Sequence, residues 1–163
     1  MFPQEHLDRA ARALALAGDA GIRLATAETV TAGLVSACLT SVSGASRIFE
    51  RGFVLYHDSA KATGLGVPED VAAQHGAVSA EITHGLAAGA LQHSGAGAAV
   101  AVTGYAGPGG GNAQNPVGTI FVAAARTGKP TLVERHVFPG DRNAVRLAAV
   151  GAAIDVLIKR LAS

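Results

Sequence analysis

The sequence predicts an α/β fold, a three-layer α/β/α sandwich around a mixed, mostly parallel sheet. Three observations predict it. Segments with helical spacing alternate with short apolar runs of strand length, the pattern of helices packed on both faces of one sheet. The last two strand-like runs are joined by a few residues only, which fits an antiparallel pair and makes the sheet mixed. The apolar share of 49% is carried by Ala, Val and Leu, with no Trp and two Tyr. A core of such small side chains lets helix and sheet approach closely.

The elements follow in order. From Gln4 to Ala20, Leu7, Ala11, Leu14 and Ala15 recur at helical spacing, and Gly21 stops the pattern. Ile22 to Glu28 reads as a short strand and Thr31 to Val42 as a second, apolar helix. Gly52 to Tyr56 is the next strand, with Phe53, Val54 and Leu55 at its centre. Polar residues from His57 onward lead into another helix near Lys61. Pro68, followed by Glu69 and Asp70, opens a further short helix. Ser79 is placed to cap the next helix, which carries Glu81 in its first turn and ends before Gly95. Ala98 to Thr103 is an apolar strand that runs directly into Gly104. Val117 to Ala125 and Thr131 to Phe138 read as two strands joined by a turn at Gly128–Pro130. Asp141 caps a last helix reaching about Leu161, with Val145, Ala149, Ala152, Val156 and Ile158 among its apolar positions.

A length of 163 residues fits one domain spanning 1–163, and no repeat or linker interrupts it. The formal net charge is +1, and basic residues are scattered apart from a modest group at Arg135, Arg142 and Arg146. That excludes a dedicated nucleic-acid binder, which needs clustered Lys and Arg. The one cysteine, Cys38, lies in an apolar helical stretch, which rules out a disulfide framework and a cysteine-rich zinc site. It reads as a small buried hydrophobe. Pro3, Gln4, Glu5 and Asp8 stand where the apolar core of a signal peptide would lie. No stretch approaches the ~18 apolar residues of a membrane span. A cytoplasmic protein is expected, without membrane contact. His57 and His75 lack partners at metal-ligand spacing, so no metal site is expected.

Four segments could carry chemistry. The first is the glycine-rich stretch Thr103–Gly111, in which Gly104, Gly107, Gly109 and Gly110 follow a strand. Such a loop lets backbone approach a ligand and aim N–H groups at an anion. It lacks the terminal Gly-Lys-Ser/Thr of a phosphate-binding P-loop and the third glycine of a dinucleotide fingerprint. The alternative is a plain exposed turn. The second segment, Ala27-Glu28-Thr29-Val30-Thr31-Ala32-Gly33, joins a strand to a helix. Thr29 and Thr31 can cap that helix, or helical N–H groups and hydroxyls can together face a ligand. The third runs from Ser43 to Gly52 and on to Tyr56 and Lys61. Singly, Ser46 is a turn residue and Lys61 a solvated lysine. Together, Ser46, Tyr56 and Lys61 supply a hydroxyl, a phenol and an amine, as in a serine nucleophile activated by a desolvated lysine. The fourth is Gly140-Asp141-Arg142, where Arg142 either binds a phosphate or carboxylate through its fork or pairs with Asp141 at the surface.

Jointly these blocks resemble the CinA carboxy-terminal domain family, whose stand-alone members include nicotinamide mononucleotide (NMN) deamidases. The resemblance rests on Gly44-Ala45-Ser46 with Phe49, on Arg51-Gly52-Phe53-Val54 leading to Tyr56, Ala60 and Lys61, and on Leu65-Gly66-Val67. It continues through Gln74-His75-Gly76-Ala77-Val78-Ser79, Thr103-Gly104 with Ala106-Gly107-Pro108, Pro116-Val117-Gly118-Thr119 and Gly140-Asp141-Arg142. It implies a three-layer fold and hydrolysis of the amide of NMN to nicotinate mononucleotide and ammonia. It also implies Ser46 as nucleophile, Lys61 as general base and Tyr56 as proton relay or hydrogen-bond partner. Glu28, Thr29, Thr31 and Gly33 would then line the substrate site with Thr103–Gly110, and Arg142 would contact phosphate. No cofactor is implied. The expected partners are a phosphorylated nucleotide and further copies of the chain. The chain departs from the family at Thr29-Val30-Thr31-Ala32, where Ser-Cys-Thr-Gly is usual, and at Tyr105, where an aliphatic residue is usual.

Overall fold

The computed structural model describes residues 1–163. Its elements are α1 (Gln4–Asp19), β1 (Leu24–Glu28), α2 (Leu34–Thr40), a 3-10 turn (Ala45–Arg47), β2 (Phe49–Val54), α3 (Asp58–Leu65), α4 (Glu69–His75), α5 (Ala80–Gln92), β3 (Ala98–Gly104), β4 (Thr119–Arg126), β5 (Lys129–Val137) and α6 (Arg142–Leu161). The five strands form one sheet in the order β2-β1-β3-β4-β5. β1 pairs parallel with both β2 and β3, while β4 is antiparallel to β3 and to β5. Four strands therefore point one way and β4 alone opposes them, the mixed, mostly parallel sheet expected from the sequence.

Helices cover both faces. On one side α1, α2 and α6 enclose a core of Leu14, Leu24, Val35, Leu39, Val100, Val102, Ile120, Val122, Ile154 and Leu157. On the other side α5, flanked by α3 and α4, packs Ile82, Leu86, Ala87 and Ala90 on Ala25, Ala27, Ala99, Ala101, Ala123 and Ala125. The strands alternate between the two layers. Their second face is nearly all alanine, so α5 sits close against the sheet. Burial on both faces explains why β3 reads as a continuous apolar run.

The largest differences from the sequence expectation lie at α2 and β2, while β1, β4 and β5 each start two residues from the expected position. Helix α2 starts at Leu34 rather than Thr31, because Ala32 (φ +48°) and Gly33 (φ +100°) take left-handed conformations that a helix does not admit. Strand β2 begins at Phe49 and ends at Val54, displaced toward the N-terminus from Gly52–Tyr56. A register shift between Leu24 and Ala25 skips Glu50 and sets Arg51 opposite Ala25, a charged entry into the sheet that apolar patterning alone does not mark. Asp141 and Ser79 do cap their helices, accepting from Ala144 N and Ile82 N.

The parallel strands end together. Glu28 is level with Val54 on one side and Val102 on the other, so the segments leaving β1, β2 and β3 emerge side by side. A concavity outside the carboxyl ends of such strands is the usual ligand position in an open α/β sheet.

Candidate active site

A cleft of about 400 Å³ opens at that edge. Thr29 and Val30 enter it from the segment after β1, Tyr56, Asp58 and Lys61 from the segment after β2 and from α3, and Gly104–Gly107 with Gly109 from the loop after β3. Ala77 and Val78 close one side, and Arg142 reaches in from the first turn of α6. A larger groove of about 640 Å³ lies between α1, α6 and β5. Its charges are largely spent on each other, Arg9 on Asp155 and Lys159 on Glu134, and it contains none of the candidate site residues. The smaller cleft is the chemically equipped one.

The loop after β3 is anchored at its base. Tyr105 N donates to Thr119 O (2.9 Å) and Gly118 N to Tyr105 O (2.7 Å). Gly104 is required by crowding: a Cβ there would lie 2.6 Å from the Thr119 carbonyl oxygen and would overlap the end of the Ile120 side chain. Farther out, Asn112 Oδ1 accepts from Gln114 N and Asn115 N, closing an Asx turn. The backbone N–H groups of Gly107 and Gly109 make no hydrogen bond within the chain, which leaves them free to donate to a ligand oxygen. Gly104, Gly107 and Gly109 line the cleft. Thr103 does not: it is fully buried and its hydroxyl bonds that of Thr83 at 2.8 Å. Gly110 stands behind Tyr105, its would-be Cβ 3.2 Å from the ring.

The segment after β1 divides in the same way. Glu28 is 1% exposed and its carboxylate is turned into the start of α2. Oε2 accepts from the Thr31 hydroxyl (2.7 Å), Gly33 N (3.0 Å) and Val35 N (3.0 Å). Oε1 accepts from Ser36 N (2.8 Å) and the Ser36 hydroxyl (2.7 Å). Five donors at a helix start satisfy a buried carboxylate without a cation. Glu28, Thr31 and Gly33 therefore spend these groups on one another within the chain, and none of the three lines the cleft. Thr29 does reach the cleft, with its hydroxyl donating to Val102 O at 3.0 Å. From α6, Arg146 Nε donates to Val30 O at 3.0 Å and pins the segment.

Arg142 does not pair with Asp141, whose carboxylate is used by Ala144 N. Instead Nη1 donates to Gly107 O (2.8 Å) and Nη2 to the Tyr56 hydroxyl (2.9 Å). Lys61 is 6% exposed, and Nζ donates to Asp58 Oδ1 (3.0 Å) and Ala77 O (3.2 Å). Tyr56, by contrast, is 61% exposed.

Ser46 is elsewhere. It lies in the exposed 3-10 turn before β2, beside a separate hollow lined by Thr40, Val42, Gly44 and Phe49. Tyr56 and Lys61 follow the opposite end of β2, and the strand between spans roughly 17 Å at ~3.3 Å per residue. Within one chain, Ser46 does not meet Tyr56 and Lys61. A nucleophile and base one strand-length apart in sequence are drawn apart when the strand is extended. Asp58 and Ala77 were not anticipated as site residues. The i, i+3 spacing of Asp58 to Lys61 is a usable helical signal, whereas a backbone acceptor such as Ala77 O leaves none. No group of three or more His, Cys, Asp or Glu is placed to hold a metal ion, and no helix is long and apolar enough to cross a membrane.

Comparison with known proteins identifies the scaffold. The family model of the CinA C-terminal domain matches residues 7–161. A CinA-like protein of Akkermansia muciniphila is 49% identical over 125 residues, 77% of this chain but 30% of that protein. A second, from Myxococcus xanthus, is 44% identical over 87% of this chain and 34% of its own length. The chain thus spans about a third of those relatives. Nicotinamide-nucleotide amidohydrolase PncC of Escherichia coli (strain K12) is 44% identical over 137 residues, covering 84% of this chain and 83% of that protein. Among solved structures, the competence/damage inducible protein CihA of Agrobacterium tumefaciens superposes with a TM-score of 0.96 at 38% identity, over 100% of this chain and 99% of that one. The competence damage-inducible protein A of Klebsiella pneumoniae gives 0.91 at 34% identity, over 96% and 97%. With a matching family model over nearly its whole length and relatives that share its fold, the chain belongs to the CinA C-terminal domain family.

Proposed function

We propose that the chain is an amidohydrolase that converts NMN to nicotinate mononucleotide and ammonia. The supporting observation is a cleft in which a buried lysine, a fork of arginine and unpaired loop N–H groups converge, on a chain 44% identical to a nicotinamide-nucleotide amidohydrolase over most of both proteins. Arg142 suits the phosphate, since its remaining guanidinium donors can face a bound anion. The loop N–H groups suit the oxyanion formed when the amide carbonyl is attacked. The substrate is a soluble nucleotide, in keeping with a cytoplasmic location.

The attacking hydroxyl comes from a second copy of the chain. β2 is an edge strand, and two such edges pairing antiparallel about a two-fold axis would carry Ser46 of one copy toward Tyr56 and Lys61 of the other. Ser46 Oγ then attacks the amide carbon as Lys61 Nζ takes its proton. Collapse of the tetrahedral intermediate expels ammonia with that proton. Water, activated by Lys61, hydrolyses the acyl-serine to release nicotinate mononucleotide. Tyr56, already bonded to Arg142, orients the incoming groups.

Ammonia release from NMN by the purified chain, run beside E. coli PncC, tests the activity. Mixing Ser46→Ala with Lys61→Ala tests the shared site. Each variant alone is inactive. The mixture recovers about a quarter of wild-type turnover, from one working site in each mixed dimer. Full activity of Ser46→Ala alone would remove Ser46 from the reaction and leave Thr29, the one aliphatic hydroxyl lining the cleft, as the candidate.

A further inference from the structure

Lys61 stands on a partition between two cavities. On one side is the cleft. On the other is a smaller, half-open hollow of about 250 Å³ between α3, α4 and α5, with an apolar floor of Ala62, Val67, Ala72 and Ile82 and with Ser59 and Glu69 at its rim. A lysine side chain has four rotatable bonds and a flexible stem, and here it has space on both sides. Two hydrogen bonds decide which side its amine faces. One acceptor is Ala77 O, on the connection from α4 to α5, at 3.2 Å. That connection is itself fixed by Ser79, whose hydroxyl donates to Gly76 O (2.9 Å) and accepts from Ile82 N (3.2 Å). The other acceptor is Asp58 Oδ1, at 3.0 Å, in the first turn of the lysine's own helix. Asp58 borders both cavities.

We propose that Asp58 is a positioning residue: it holds Nζ of Lys61 at the cleft and keeps the side chain from turning into the cavity behind it. The proposal rests on the reading that Lys61 serves the hydrolysis. Asp58 acts through Lys61 by supplying an acceptor at the right place, so its oxygen geometry matters more than direct contact with substrate. The Asp58 side chain is 65% exposed while that of Lys61 is 7% exposed, so the aspartate can be changed with little effect on packing.

The test compares Asp58→Ala with Asp58→Asn, which keeps an acceptor oxygen. Asp58→Ala is expected to lower kcat on NMN about tenfold or more with KM within about twofold of wild type, and Asp58→Asn to recover most of that loss. A second readout does not need turnover: acetylation of Lys61 in the native protein by acetic anhydride, quantified by peptide mass spectrometry against the exposed Lys129 and Lys159. Its relative rate is expected to change by about threefold or more in Asp58→Ala and to stay near wild type in Asp58→Asn. Unchanged kcat and unchanged labelling in Asp58→Ala would overturn the proposal. So would a rise in KM at constant kcat, which would mean a direct substrate contact. If the wild-type chain releases no ammonia while E. coli PncC does, the amidohydrolase reading fails, and the labelling comparison still decides whether Asp58 positions Lys61.

Discussion

Arg142 Nη2 donates to the Tyr56 hydroxyl at 2.9 Å, tying the start of α6 to the segment after β2 across 86 positions of sequence. The same guanidinium holds Gly107 O at 2.8 Å. One side chain thus braces two walls of the cleft and keeps further donors for a ligand. Replacing Arg142 with Ala removes a charge-assisted contact of about 1.5–3 kcal/mol, a factor of about 10 to 160 in kcat/KM on NMN. Steady-state kinetics on nicotinamide riboside, which lacks the phosphate, check the assignment. The penalty should shrink to a few-fold there. An equal loss on both substrates would mean that Arg142 serves the cleft as a brace alone.

Glu28 accepts five hydrogen bonds inside the molecule. In Glu28→Gln, the amide NH2 must face donors that now bond a carboxylate oxygen. Those N–H and O–H groups are left unsatisfied in a buried site, at about 3 kcal/mol. Chemical denaturation should show a lower midpoint at unchanged slope. A variant as stable as wild type would mean that these bonds are readily replaced.

Ala32 adopts φ +48°, a conformation that strains a residue with a Cβ and that glycine reaches freely. Ala32→Gly relieves the strain but loosens the unfolded chain, for a net gain of about 0.5–1 kcal/mol. Thermal melting should rise by about 1–3 °C. A fall would show that the alanine methyl contributes packing that outweighs its backbone strain.

Burial pushes the Cys38 thiol up to about 11, and its Sγ lies 3.7 Å from His6 O with no exposed surface. The reactive thiolate is therefore scarce below pH 9. Iodoacetamide at pH 8 should leave the native protein unmodified over hours and alkylate it promptly in denaturant. Rapid native-state labelling would mean that α2 opens far more often than its packing allows.

The fold was legible because its determinants are local. Helical spacing in α1 and α6, the cap residues Ser79 and Asp141 and the apolar run of β3 all act within a few residues of themselves. β2 is longer toward its start than its pattern suggests because Phe49 and Arg51 pair with β1 around a skipped Glu50, a tertiary effect. The site was legible in part. Its loop glycines, Thr29, Tyr56, Lys61 and Arg142 meet in one cleft. Glu28, Thr31 and Thr103 look like ligand groups in sequence, but each spends its polar atoms on a buried partner. Pattern alone does not distinguish a hydroxyl that faces a ligand from one that faces the core. Ser46 shows the complementary limit. Spacing in sequence brought it within 15 positions of Lys61, and an extended strand carries it to the far end of the sheet.

The most direct test measures ammonia and nicotinate mononucleotide formed from NMN by the wild-type chain and by Lys61→Ala, with E. coli PncC as the positive control. Stoichiometric formation of both products by wild type, and a loss of about a thousandfold or more in Lys61→Ala at unchanged melting temperature, is the predicted result. No turnover by the wild-type chain, or near-wild-type turnover without Lys61, would contradict it.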